Sequence, residues 1–459
     1  MNFDKYVDEC INTMQELIQI KTVQDVPVEN GPFGKGNKEC LEKMLSICEK
    51  MGFKVKNLDG YCGYAEVGNG NDIIGIIGHL DVVPEGEGWI YPPYSAKIVD
   101  DIMYGRGTWD DKGPVCMCLY ALKALMDEKI NFNKRVRFIF GCNEESGSRC
   151  VEHYIEKEGQ ITCGFSPDAN FPVIFAEKTI CNIKISGKAT NNSGVKLLSL
   201  DSGIVINAVP DKCVFTLSYA CNNCKAKVIE DLEKYYNENN IKFDFVDKNN
   251  TLTYTIYGKA AHGSIPQCGI NAASYAIIGL SKVIDNSFVN IYAKHINVEH
   301  NGKSLNCYAF DEYGDIAVNI GIVKYENDNF EILINSRLPF TTNSNKMTNE
   351  IKETLAKYEN VEVTLLSDSK GFKMEKDNKM VQLLMEAYQQ VTKDYESKPL
   401  CIAGGTYARE FNNCVAYGPE MEGFGEVLMH QPNESIPLRA IKPIMEIYYN
   451  AIKNLVEKL

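Results

Sequence analysis

No stretch of the chain is apolar for long enough to span a membrane, and there is no excess of basic residues. The first absence argues against a helical membrane protein. The second argues against a nucleic-acid partner, because the formal net charge is −13 and such binding needs a basic face. The opening segment, MNFDKYVDECINTM, lacks the basic start and apolar core of a signal peptide, so a cytoplasmic location is expected. Histidine is scarce, with six in 459 residues, so any clustering of histidines near acids carries weight. Cysteine is plentiful at 17, but a disulfide scaffold is normally a short secreted chain. Reduced, incidental thiols are therefore expected, including the CNNC of Cys221 and Cys224. That pair has metal or redox spacing but no second pair nearby.

The length exceeds what one hydrophobic core usually serves, which predicts two domains. Apolar residues at helical spacing predict a first helix through Phe3, Val7, Cys10, Met14 and Leu17. Further helices are expected over about 37–51, 114–127, from 150, from 378 and over 438–455. Between them lie a short apolar run without alternation, Ile73 to Ile77, as expected for a strand covered on both faces, and Arg135 to Phe140, a strand rich in apolar and aromatic residues. Strands alternating with helices predict an α/β domain built on a mostly parallel sheet with helices on both faces. From about residue 178 the pattern changes to alternating strands, such as TLTYTIYG and NFEILINSR, with two helical stretches. The expected division is a catalytic α/β domain, residues 1–177 and 371–459, interrupted by an inserted α+β lid, residues 178–370.

Acids and histidines gather where the expected strands end, which is where ligands collect in such folds. His79 and Asp81 close the run from Ile73, and i, i+2 residues share one face of a strand. A carboxylate beside a metal-bound imidazole fixes its tautomer. Glu144 and Glu145 follow the next strand in GCNEESGS. Two adjacent acids at the end of a buried strand need local positive charge unless water solvates them. Asp110 and Asp111 lie in the glycine-rich YGRGTWDDKGP, Asp168 lies in SPDANFP, and His430 lies in a loop before the last helix. Each of these alone is consistent with an ordinary turn or a hydrogen-bonded surface histidine. Together they make an oxygen- and nitrogen-donor set with no thiolate, suited to two hydrolytic cations.

The segments GHLDVVPEGEGW, YGRGTWDDKGP, CNEESGS, SPDANFPV, GKAAHGSIP, INSRLPF, GGTYARE and MHQPNESI, in this order, resemble the metallopeptidase family of aminoacylases, carboxypeptidase G, acetylornithine deacetylase and peptidase V. They span residues 78 to 436, and NAVPDK, GGTYAR and the long insert are most similar to the peptidase V type of dipeptidase. CNEES departs from the commoner Thr-Asp-Glu-Glu but keeps both glutamates.

The resemblance implies two divalent cations, zinc first, with manganese and cobalt as alternatives. His79, Asp110 and Asp168 would hold one, while Asp110, Glu145 and His430 would hold the other. Asp110 would bridge, and its peptide bond to Asp111 would be cis. Asp81 would orient His79, and Glu144 would be the general base. In the lid, Asn207 and His262 would stabilise the oxyanion and Arg337 would grip a substrate carboxylate. Gly404 and Gly405 would line the substrate slot. The implied activity is hydrolysis of dipeptides with a free C-terminal carboxylate. The alternative is deacylation of N-acyl amino acids, of the acetylornithine deacetylase or succinyl-diaminopimelate desuccinylase type. A small peptide would be the only partner, with no nucleic acid and no membrane. The insert is long enough to supply His262 in cis, which predicts a monomer. A non-catalytic binding protein would be expected to have lost a ligand or Glu144. A cysteine-based metal buffer would need clustered pairs.

Overall fold

The computed structural model describes residues 2–459 and divides into two compact units, Met1–Glu177 with Phe372–Leu459, and Lys178–Gly371. In the first unit the strand Ile73–His79 is buried at every position. Its isoleucines and glycines form a strand covered on both faces. It pairs in parallel with Arg135–Gly141 on one side and Cys163–Ser166 on the other, and Cys163–Ser166 pairs in parallel with Cys414–Ala416. Lys54–Leu58 and Cys62–Val67 add an antiparallel flank beyond Arg135–Gly141. Ile174–Glu177 and Phe372–Lys373 make the opposite, largely antiparallel flank. The sheet is therefore mixed, with a parallel centre. Helix Lys112–Asp127 packs on Ile73–His79, and helices Asp4–Ile18 and Ile441–Lys458 pack on that helix. Lys112–Asp127 is buried nearly all round because its neighbours enclose it.

The second unit holds one antiparallel sheet of eight strands among the described residues. Their order is Lys242–Lys248, Thr251–Tyr257, Lys212–Tyr219, Val195–Ser202, Ala317–Glu326, Asn329–Leu338, Thr179–Lys188 and Val361–Ser369. Strict alternation along Thr251–Tyr257 places Leu252, Tyr254 and Ile256 in the core under the helices. Alternation fails in one informative place. Asn329–Leu338 alternates as far as Ile334, after which Asn335, Ser336, Arg337 and Leu338 are all buried. The non-helical face is thus covered where it carries Asn335 and Arg337.

Two short helices, Ser287–His295 and Ser344–Leu355, lie outside the helices expected from periodicity. Side-chain caps from Asn286 and Asn343 start them, a local signal that the apolar spacing does not report. The expectation of incidental reduced thiols fails for one pair, since Cys221 and Cys224 form a disulfide. Cys221 caps helix Asn222–Glu238, its sulfur accepting from Cys224 N–H at 3.1 Å. The first helical turn then leaves the two Cα atoms 5.3 Å apart, the separation of an i, i+3 pair. The other cysteines are free and mostly buried, and burial pushes thiols such as Cys10, Cys116 and Cys118 upward, which makes them inert.

Candidate active site

Three neighbouring parallel strands end side by side, and each delivers acids or a histidine from its carboxyl end. Ile73–His79 delivers His79 and Asp81. Arg135–Gly141 leads to Glu144 and Glu145, and Cys163–Ser166 leads to Asp168. Asp110 arrives on the turn before helix Lys112–Asp127, and its peptide bond to Asp111 is cis. His430 arrives on a loop in the left-handed region, with φ 61°. These residues converge. Donor atoms of His79, Glu144 and Asp168 lie within 4.8 Å of one another, as do those of His79, Asp110 and Glu145. Glu144 is thus as close to the cluster as the acids expected to be ligands.

Asp110 sits at the centre. Its Oδ1 is 2.9 Å from His79 Nε2 and its Oδ2 is 2.8 Å from His430 Nε2. His430 Nε2 also lies 3.3 Å from Glu145 Oε1, and His79 Nε2 lies 3.7 Å from Asp168 Oδ2. Each oxygen of one carboxylate therefore faces a different imidazole. His79 Nδ1 is 2.9 Å from the main-chain oxygen of Asp81 and donates its proton there. Nε2 is then the nitrogen turned to the Asp110 carboxylate, with room for either a proton or a cation between the two.

Asp81 acts differently from the simple carboxylate–histidine pair. Its carboxylate stands 3.5 Å from His79 Nδ1, while its oxygens accept the Glu144 and Glu145 N–H groups at 3.0 and 3.1 Å. It holds His79 mainly through the backbone and aims the two glutamates with its side chain.

The charge balance of the cluster favours bound cations. Burial, then the neighbouring Asp110 charge, push the Asp168 and Glu145 carboxyls up, and burial pushes Glu144 up to about 8. Burial acts the same way on Asp110, but hydrogen bonds from His430 and His79 outweigh it and hold that carboxyl far below its ordinary range. Hydrogen bonds to Asp110 and Glu145 raise His430 to about 10. Within the cluster only the two imidazoles can carry positive charge, against four carboxylates. The oxygen- and nitrogen-donor set, with a carboxylate shared between two histidines, fits two divalent cations.

Several supporting residues carry only a weak sequence signal. Glu434 is fully buried and receives donors alone: Arg106 Nη1 at 2.8 Å, Trp109 N–H at 2.9 Å, Gly107 N–H at 3.1 Å and Asp110 N–H at 3.3 Å. Arg106 in turn donates to the carbonyls of Gln431, Pro84 and Glu85. One ion pair thus ties together the loops that carry His79, Asp110 and His430. The hint in the sequence was the acid four residues after His430 and the arginine four before Asp110. Asp111, expected only as a neighbour of the bridging acid, accepts His79 N–H at 3.0 Å. Gly78 allows this approach, since a Cβ there would lie 2.8 Å from Asp111 Oδ2.

Gly404 and Gly405 lie on a loop held by Arg409, which donates to Gly404 O at 2.9 Å and pairs with the buried Glu177. A Cβ on Gly405 would sit 2.5 Å from the guanidinium. Tyr407 connects this loop to the cluster by standing edge-on to the His79 ring and accepting Asn143 N–H.

In the second unit, Asn207 and His262 are brought side by side. Gly263 N–H donates to Asn207 O at 2.7 Å, and Ala208 and His262 form an antiparallel bridge. His262 Nδ1 is engaged by Ser264, whose Oγ lies at 2.6 Å and whose N–H points at it at 3.3 Å. Arg337 is 4% exposed and belongs to the covered polar face of the same sheet.

Residues 75–454 match the sequence profile described as "Peptidase family M20/M25/M40". The chain belongs to this family. A provisionally named dipeptidase of Staphylococcus aureus is 34% identical over 463 residues, covering 98% of each chain. A provisionally named dipeptidase of Staphylococcus haemolyticus is 33% identical over 467 residues, again 98% of each. Among solved structures, human carnosine dipeptidase 1 superposes with a TM-score of 0.59 at 16% identity, covering 99% of this chain and 97% of that one. An M20 metallo-carboxypeptidase from Sulfolobus solfataricus gives 0.58 at 18% identity, covering 98% and 99%. At these identities the superpositions establish a shared fold. Family membership makes the M20/M25/M40 chain a hydrolase acting on peptide bonds. No helix among its described residues is long and apolar enough to cross a membrane.

Proposed function

We propose that this M20/M25/M40 peptidase is a dipeptidase that uses two divalent cations to hydrolyse dipeptides with a free C-terminal carboxylate. The observation that carries the reading is the Asp110 carboxylate, each oxygen of which faces a different imidazole. The names of the staphylococcal relatives support the choice of substrate.

His79, Asp110 and Asp168 would hold one cation, and Asp110, Glu145 and His430 the other. When bound, the cations would acidify water and polarise the scissile carbonyl. Glu144 would accept the proton of the attacking water and pass it to the leaving amine as the C–N bond breaks. Its carboxylate lies within 4.8 Å of donor atoms of His79 and Asp168, close enough to take and return that proton. His262 Nε2–H and Asn207 would donate to the developing oxyanion. Arg337 would take the substrate carboxylate in a forked pair, so that one residue fits between the reacting carbonyl and the chain end.

We further propose that the chain acts as a cytoplasmic monomer with His262 supplied in cis. A stable dimer in sedimentation, with activity restored by mixing His262→Ala and Glu144→Gln chains, would refute the monomer. The substrate class is tested by chelation, re-addition of zinc, manganese or cobalt singly, and assay of dipeptides beside N-acyl amino acids. Faster turnover of the N-acyl amino acids would replace the dipeptidase by a deacylase.

A further inference from the structure

A row of carboxamides crosses the sheet of the second unit. Asn182, Asn335 and Asn319 occupy directly paired positions on three adjacent strands. Asn335 Nδ2 donates to Asn182 Oδ1 at 2.7 Å, and Asn182 Nδ2 donates to Ser367 Oγ on the edge strand at 2.8 Å. Asn319 and Asn335 are 1% and 2% exposed, on the face opposite the helices. Their neighbours Val318, Ile320, Ile334 and Ser336 point the other way, and the first three belong to the apolar core. A carboxamide in such a place is costly unless its groups are used.

Asn319 uses its amide on one short segment. Its Nδ2 donates to Ile206 O at 2.9 Å and to Ala208 O at 3.0 Å, the carbonyls on either side of Asn207. That segment is joined to the next loop by Gly263 N–H to Asn207 O at 2.7 Å and Val209 N–H to Ala261 O at 2.9 Å. The second loop lies hard against the row, because a Cβ on Gly263 would stand 3.0 Å from Asn335 Oδ1. Asn207 is exposed, and beside it Ile204 is 94% exposed and Val205 52%. The segment has little apolar packing of its own to fix it, so the hydrogen bonds must supply the order.

We propose that Asn319 is a positioning residue for the reaction. Its carboxamide clamps the main chain on both sides of Asn207 and, through the two backbone bonds, holds the loop that presents His262. The inference rests on the reading of Asn207 and His262 as substrate contacts. Misplacing such groups by about 1 Å costs on the order of 10²-fold in rate.

The test uses the metal-loaded full chain with Asn319→Leu, close in volume but without a donor, and Asn319→Ala as a second variant. Expected are a kcat lowered about 10–100-fold, a KM changed less than about twofold and unchanged metal content. Amide hydrogen exchange at Gly263 and Val209 should accelerate by about tenfold or more while the core strands stay protected. In an Asn207→Ala background, Asn319→Leu should lower kcat by a smaller factor than in the wild type, because the part of its effect that runs through the Asn207 side chain is already lost while the part that runs through the His262 loop remains. Wild-type kcat in either folded variant, unchanged exchange at Gly263, or losses that multiply in the double variant would each overturn the proposal. So would failure of both variants to fold, since that would make Asn319 a general requirement of the sheet. Asn207→Ala and His262→Ala chains with wild-type kcat would instead sink the parent reading. In that case faster exchange at Gly263 in Asn319→Leu would still identify the clamp, now without a catalytic role.

Discussion

Glu434→Gln is the substitution that most directly tests how the cation-binding loops are held. The change keeps volume and shape but removes the charge that faces Arg106 Nη1 at 2.8 Å in a site where both side chains are 1% exposed or less. Five donors converge on the carboxylate: Arg106 Nη1, the N–H groups of Gly107, Trp109 and Asp110, and Thr108 Oγ1. A carboxamide offers one acceptor oxygen in place of two and turns an NH2 toward the remaining donors. Breaking one partner of a buried pair costs about 3–5 kcal/mol, because the other charge is left uncompensated. Loss of an outer-shell partner typically lowers metal affinity by about 10–100-fold.

The only two tryptophans, Trp89 and Trp109, both belong to the first unit, so their fluorescence in urea isolates the unfolding of that unit. Trp109 adjoins the clamped loop and donates to Ser435 O at 2.8 Å, which makes it a local reporter as well. Adding Arg106→Met to Glu434→Gln should recover part of the lost stability, since no unpaired guanidinium then remains. A Glu434→Gln chain with the wild-type urea midpoint and wild-type metal affinity would refute the account of the three tied loops.

Glu144→Gln should reduce kcat by about 10²–10⁴-fold, the worth of a general base, while metal analysis still finds two ions per chain; normal turnover at full occupancy would remove Glu144 from that role. Arg337→Ala should lower kcat/KM for a dipeptide by about 2–5 kcal/mol, and Arg337→Lys should restore little of it. Amidating the dipeptide's C-terminus should cripple the wild type and barely affect the variant, and equal cleavage of acid and amide by the wild type would end the role of Arg337 as a ruler. Metal uptake should release protons and tighten as pH rises. His430 is held at about 10 in the metal-free protein, above its ordinary 6.5, so its stabilising protonation is fully present below about 6.5 and lost as pH climbs through about 10. A cation must displace that proton, and burial leaves Glu145 and Asp168 raised as well, so their protons leave with the same sign. Affinity should rise about tenfold per pH unit for each proton displaced, and titration calorimetry showing no buffer-dependent heat would contradict this.

The local chemistry of the site was legible in the residues themselves. A run such as IIGIIGH can be a strand buried on both faces and little else, and a strand end in an α/β sheet is where a histidine and an acid become ligands. That logic reaches His79, Asp81, Glu144, Glu145 and Asp168 from short stretches of sequence. Asp110 and His430 were legible only through the order of motifs, because each sits in a loop whose path depends on the rest of the fold.

Tertiary structure decided the rest. Asp81 turns its carboxylate to the Glu144 and Glu145 amides rather than chiefly to His79, because the strand leading to those glutamates lies alongside in parallel. Arg106 and Glu434 meet across more than three hundred residues, and Asn319 finds the carbonyls beside Asn207 across more than one hundred. Spacing along the chain carries at most a weak hint of such pairs. A buried hydrogen bond depends on where two backbones pass, and periodicity reports only which face of its own element a side chain occupies.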